Sequence, residues 1–72
     1  MAGSPTRIEK VVGQRVAAHR GKKGWSRPEL ADKLDINRTH LWRIECGRAS
    51  PSLGLLDRMA RLFGVSLDKL GR

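Results

Sequence analysis

Residues 26–47 read SRPELADKLDINRTHLWRIECG, two short helix-like patterns with barely room for a turn between them. Ser26 with Glu29 is a capping box, in which the hydroxyl accepts from the N–H three residues on and the glutamate reaches back. Pro28 falls in the first turn, where no intrahelical partner needs its missing N–H. Leu30, Ala31 and Leu34 then supply the buried side of a helix that stops around Asp35. Asn37 caps a second helix running through Glu45, and Gly47 is placed to close it in a left-handed conformation. At about 100° per residue, Leu41 and Ile44 lie close together and must face the core. The opposite face collects Arg38, Thr39, Trp42 and Arg43, with His40 and Glu45 on the flanks.

A helix with two core residues and five polar or aromatic neighbours is poor material for building an interior. Its outer face is better suited to reading a duplex. Arginine offers a planar fork that grips guanine O6 and N7, and threonine offers a hydroxyl with a methyl that can touch thymine. A helix small enough for the major groove, held by a preceding helix across a tight turn, is the helix-turn-helix arrangement. The competing interpretation of this helix, taken alone, is an ordinary solvated polar face.

The rest of the chain is also helical in pattern, because β-branched residues never alternate over a strand's length. Thr6 with Glu9 is a capping box for a first helix in which Ile8, Val12, Val16 and His19 share a face, ended by Gly21 to Gly24. Pro51 and Ser52 start a fourth helix, with Leu53, Leu56, Met59, Ala60 and Phe63 inward, broken by Gly64. Ser66 is placed to cap a last short helix carrying Leu67 and Leu70. The expectation is an all-α, compact five-helix bundle. Residues 1–6 are expected to be a flexible N-terminal tail and residues 7–72 one helix-turn-helix domain.

Composition agrees with a polyanion partner. The 72 residues hold fifteen Lys and Arg against seven Asp and Glu, a net charge of +8. That imbalance points to DNA, RNA or an anionic membrane surface. Two Trp and one Phe give no aromatic platform for single-stranded bases. The lone Cys46 excludes an intramolecular disulfide and a multi-cysteine zinc site, so no metal or other cofactor is expected. No apolar run is long enough for a membrane span and the first residues lack the apolar segment of a signal peptide, so the expected compartment is cytoplasmic. His19 and His40 lack a cysteine or serine partner at a useful spacing, and no glycine-rich phosphate loop follows a strand, so no enzymatic activity is expected.

From Val12 to Leu70 the chain resembles the Cro/C1-type helix-turn-helix family of phage repressors and small bacterial regulators. The resemblance is carried by GQRV at Gly13 to Val16, Arg20, and GWSRPELA at Gly24 to Ala31. It continues through INRTHLWRIECG at Ile36 to Gly47, SPSL at Ser50 to Leu53 and FGVSLDKL at Phe63 to Leu70. Each motif is weak alone, and the ordered set with its gaps is strong. The NRT start of the third helix is also similar to the controller proteins of restriction–modification systems. Departures from the family pattern are Asp35 at a turn usually held by glycine, Arg27 in place of glutamine, Pro28, His19 and Trp25 in place of leucine, and Trp42 in place of a small polar residue. His19 and Trp25 are expected to be partly buried.

The resemblance implies a lambda-repressor-like bundle and a transcriptional regulator that binds double-stranded DNA as a homodimer on a palindromic operator. Arg38, Thr39 and Arg43, on the outer face of the third helix, are then assigned to base edges. Arg27, Asn37 and Arg48 take positions where family members hold the phosphate backbone. His40 and Trp42 are left between a DNA and a protein contact. Arg20 and Glu45 stand where the family places a structural ion pair. Leu55, Leu62, Leu67 and Leu70 are expected to form an apolar dimer interface. The alternative is a protein-binding module of the same fold, such as an antitoxin, an anti-repressor or a polymerase-contacting regulator.

Overall fold

A computed structural model describes residues 7–71. It contains five helices: α1 at Arg7–Lys23, α2 at Arg27–Leu34, α3 at Arg38–Glu45, α4 at Leu53–Phe63 and α5 at Asp68–Gly71. No strand occurs among the described residues. Thr6, the expected cap of α1, and the expected tail lie outside them.

Local chemistry accounts for where the helices start and stop. The Ser26 hydroxyl accepts from the Glu29 N–H at 3.2 Å, and the Glu29 carboxylate accepts from the Ser26 N–H at 2.9 Å. Hydrogen bonding to the carboxylate, first from the Ser26 N–H and then from its hydroxyl, holds the Glu29 carboxyl below its ordinary pKa. Asn37 Oδ1 accepts from the Thr39 N–H at 2.7 Å, and Ser52 Oγ from the Leu55 N–H at 3.1 Å. α4 therefore begins at Leu53, with Ser52 as its cap and Pro51 outside it. α1 runs straight through Gly21 and closes only at Gly24, which is left-handed at φ 73°. Asp35 closes α2 at φ 55°, the only positive φ among the described non-glycine residues. Arg58 completes that end by donating from Nη2 to the Leu34 carbonyl at 2.6 Å.

The core runs from Val12 and Val16 of α1 through Leu30, Leu34, Leu41 and Ile44 to Met59 and Phe63 of α4, with Leu70 closing it. Two expectations are corrected. Ile8 and Leu53, both read as inward-facing, are each 71% exposed. Leu53 is the first residue of α4; Ala60, seven residues on and at nearly the same angle around the helix, is buried, so it is the position at the helix end that leaves Leu53 exposed. Ile8 sits in the first turn of α1, ahead of its first buried residue, Val12.

His19 and Trp25 are both partly buried against Phe63, with ring centroids 5.5 Å and 6.1 Å away. The Lys33 ammonium stands 4.9 Å from the Trp25 ring centroid on a cation–π contact. Burial, and then the nearby Lys22 and Lys69, lower the His19 imidazole below the ordinary histidine value of 6.5. The unfolded chain therefore takes up a proton that folded His19 still refuses. Stability should fall as the pH drops below about 6.5 and level off once the folded imidazole is also protonated. Urea midpoints measured across this window should show that slope in the native chain and a shallower one in His19→Leu. Parallel profiles would remove His19 as the cause.

Candidate nucleic-acid interface

α3 is held against the core by Leu41 and Ile44, both fully buried, while Arg38, Thr39, His40, Trp42 and Arg43 are all exposed. Trp42, at 44% exposure, is a large apolar surface on a helix whose other exposed side chains are polar. Arg38 lies 3.7 Å from Asp32 across the turn, with both side chains mostly in solvent, a pair worth about 0–1 kcal/mol and easily exchanged. Arg43 forms no ion pair with another described residue, and neither does Arg48, exposed in the loop just beyond α3. Asn37 spends its carbonyl oxygen on the α3 cap, so its amide NH₂ is the group it can still offer.

The pitch of α3 is fixed from behind. Arg20 of α1 donates to Glu45 through Nε at 2.8 Å and Nη2 at 3.0 Å, and through Nη1 to the Trp25 carbonyl at 3.0 Å. The carboxylate is 6% exposed and the guanidinium 20%. Hydrogen bonding to Glu45 raises the Arg20 pKa, so this cation is permanent. Arg27 joins the same carboxylate, with Nε 3.5 Å from Glu45 Oε1. Arg20, Arg27 and Glu45 thus tie α1, the start of α2 and the end of α3 into one knot.

Two glycines let α1 approach α3 closely enough for that knot to form. A Cβ on Gly13 would collide with the Ile44 carbonyl oxygen and stand 2.8 Å from that of Glu45. A Cβ on Gly47, left-handed at φ 76°, would meet Lys10 Cα at 3.1 Å. Sequence reading placed Gly47 as a cap and missed this contact. It also missed Gly13, although a glycine inside an otherwise regular helical pattern is the usual signal of a close backbone approach. The link from Arg27 to Glu45 and the Arg58 cap joined residues from different elements, and no local pattern marked them.

The expected leucine interface is not one patch. Leu55 and Leu70 are closed into the chain's own core, at 8% and 0% exposure. Leu62 and Leu67 are half-buried against it. No helix is long and apolar enough to cross a membrane among the described residues.

Residues 11–72 match a family model described as a helix-turn-helix domain. The chain is 38% identical over 60 residues to the SPbeta prophage-derived uncharacterized HTH-type transcriptional regulator YonR of Bacillus subtilis, covering 83% of this chain and 56% of that protein. It is 35% identical over 67 residues to multiprotein-bridging factor 1 of Eremothecium gossypii, covering 93% of this chain and 44% of that one. The chain thus spans about half the length of these two curated relatives. SinR, a Bacillus subtilis regulator solved in complex with DNA, superposes with a TM-score of 0.75 at 33% identity, over 82% of this chain and 95% of that one. The order of the helices, the α2–α3 turn and the match over residues 11–72 all agree: the chain belongs to the helix-turn-helix domain family, in its Cro/C1-type, lambda-repressor-like form.

Proposed function

We propose that the chain is a sequence-specific transcriptional regulator that binds double-stranded DNA through the major groove. The observation that carries this reading is the division of α3 into a buried edge, Leu41 and Ile44, and an exposed edge bearing Arg38, Thr39 and Arg43. Relatives that are regulators, and the DNA complex of SinR, support it. Arg38, Thr39 and Arg43 read base edges, while Arg27, Asn37 and Arg48 hold phosphates on either side. The regulator acts as a homodimer in the cytoplasm, with two-fold pairing that sets recognition helices about 34 Å apart on a palindromic operator. Because Leu55 and Leu70 are internal, the pairing surface would draw on Leu62 and Leu67 at their exposed edges.

The test is a duplex selected from random sequence, titrated at several salt concentrations. Arg43→Ala should cost about 1–3 kcal/mol on the selected site and relax preference at one base pair. Arg48→Ala should weaken every duplex alike and lower the salt slope by about one. Equal losses for Arg43→Ala on selected and random duplexes would remove it from the base-reading set. Light scattering of the same complexes gives the stoichiometry, and one chain per site would overturn the dimer.

A second reading is a protein-binding module. It is favoured by the exposed Trp42, a residue type enriched at interfaces, and by the similarity to a multiprotein-bridging factor. Binding to a protein that is insensitive to salt, with none to duplex, would select it.

A further inference from the structure

Glu45 carries one negative charge and faces two guanidinium groups. Arg20 takes both carboxylate oxygens and places its remaining nitrogen on the Trp25 carbonyl, so all three of its nitrogens are committed inside the fold. Arg27 is engaged differently. Its Nε lies 3.5 Å from Glu45 Oε1, too far for a hydrogen bond, and its side chain is 45% exposed. Its two terminal nitrogens make no hydrogen bond with another described residue. A carboxylate shared by two arginines leaves one positive charge uncompensated, and that charge sits on the more exposed partner.

We propose that Glu45 is a positioning residue for Arg27, holding the Nε edge of its guanidinium so that the two terminal nitrogens face outward as a fork for a DNA phosphate. The proposal rests on the DNA-binding reading and adds a division of labour within the knot. A free arginine side chain has many rotamers, and ordering it only on arrival of the duplex would weaken the contact. Arg27 is ordered beforehand by a group that the fold already fixes through Arg20. A paired oxygen acceptor matches the planar fork, which a lysine ammonium cannot imitate. The same carboxylate anchors the end of α3, so the phosphate contact and the pitch of the recognition helix share one fixed point.

Three variants test this: Arg27→Lys, Arg27→Ala and Glu45→Gln, with binding to a selected duplex read against salt and the free proteins read by NMR at the arginine Nε–Hε groups. Arg27→Ala leaves the Arg20–Glu45 pair intact and should weaken binding about tenfold, with the salt slope lowered by about one. Arg27→Lys should keep the slope, since the charge stays, yet lose most of the same affinity. In the free native protein the Arg27 Nε–Hε should show a heteronuclear NOE close to that of Arg20 and well above that of Arg48. Glu45→Gln should abolish this difference for Arg27. If Glu45→Gln is too unstable to measure, the lysine comparison and the native NOE still decide. Lysine substituting without loss, or an Arg27 as mobile as Arg48, overturns the positioning role while leaving DNA binding in place. No duplex binding by the native chain overturns both.

Discussion

Arg20→Ala is expected to destabilise the folded chain by about 3–5 kcal/mol, the range for removing one partner of a buried ion pair. An exposed pair would give about 0–1 kcal/mol. The geometry selects the larger figure: the carboxylate is 6% exposed, and the guanidinium commits all three nitrogens to it and to the Trp25 carbonyl. Arg27, 3.5 Å from the same carboxylate, partly neutralises the stranded charge, which places the loss toward the lower end. Arg20→Ala should accordingly cost more in an Arg27→Ala background than alone, because the two cations share one acceptor and cannot be additive. At the usual stability per residue, a chain of 72 residues has roughly 4–11 kcal/mol in total, so the single change threatens folding at physiological temperature. Urea unfolding with both backgrounds measures these quantities. A loss under about 1 kcal/mol would show that solvent screens the pair despite its burial.

The two short helices at the centre of the fold were legible because they carry their own punctuation. Ser26 with Glu29 and Asn37 before Arg38 are caps whose hydrogen bonds form within three residues, so no tertiary knowledge is needed to place them. That Asp35 falls at a turn usually held by glycine was legible only through the family resemblance, and its φ of 55° agrees with that. The outward face of α3 followed from Leu41 and Ile44 alone. The inward face of α4 was legible at Met59, Ala60 and Phe63, all buried, and at Leu56, which packs against the core; Leu53 alone departs from it. The leucines of α4 at 53, 55, 56 and 62 spread over about half of the helix circumference, so periodicity does not by itself choose where the buried arc ends. The buried arc extends past Met59 and Phe63 to take in Leu55, and this removes Leu55 from the expected interface. The shared Glu45 lies one step further from the sequence, since Arg27 and Glu45 are distant along the chain and neither has a local pattern that demands the other.

Gly13→Ala and Gly21→Ala make the same chemical change in the same helix and should act with opposite sign. Both glycines lie within α1, where alanine is the better helix former by about 1 kcal/mol. At Gly21 a Cβ meets nothing within 4 Å, so that preference should appear as added stability of up to about 1 kcal/mol. At Gly13 the new methyl collides with the Ile44 carbonyl oxygen and lies 2.8 Å from the Glu45 carbonyl oxygen. These are backbone atoms of the last turn of α3, so no change of rotamer relieves them. α1 and α3 must separate, and overpacking of this kind costs about 1–3 kcal/mol or more. Separation also draws Glu45 away from Arg20, whose pairing at 2.8 Å depends on the same approach. The combined loss should be at least about 3 kcal/mol after the helix-propensity gain is subtracted. On the proposed DNA-binding function, duplex affinity should fall as well, since the displaced segment is the carboxyl end of α3. Urea midpoints of the two variants decide the matter, and a Gly13→Ala as stable as Gly21→Ala would mean that α1 and α3 have room the packing does not show.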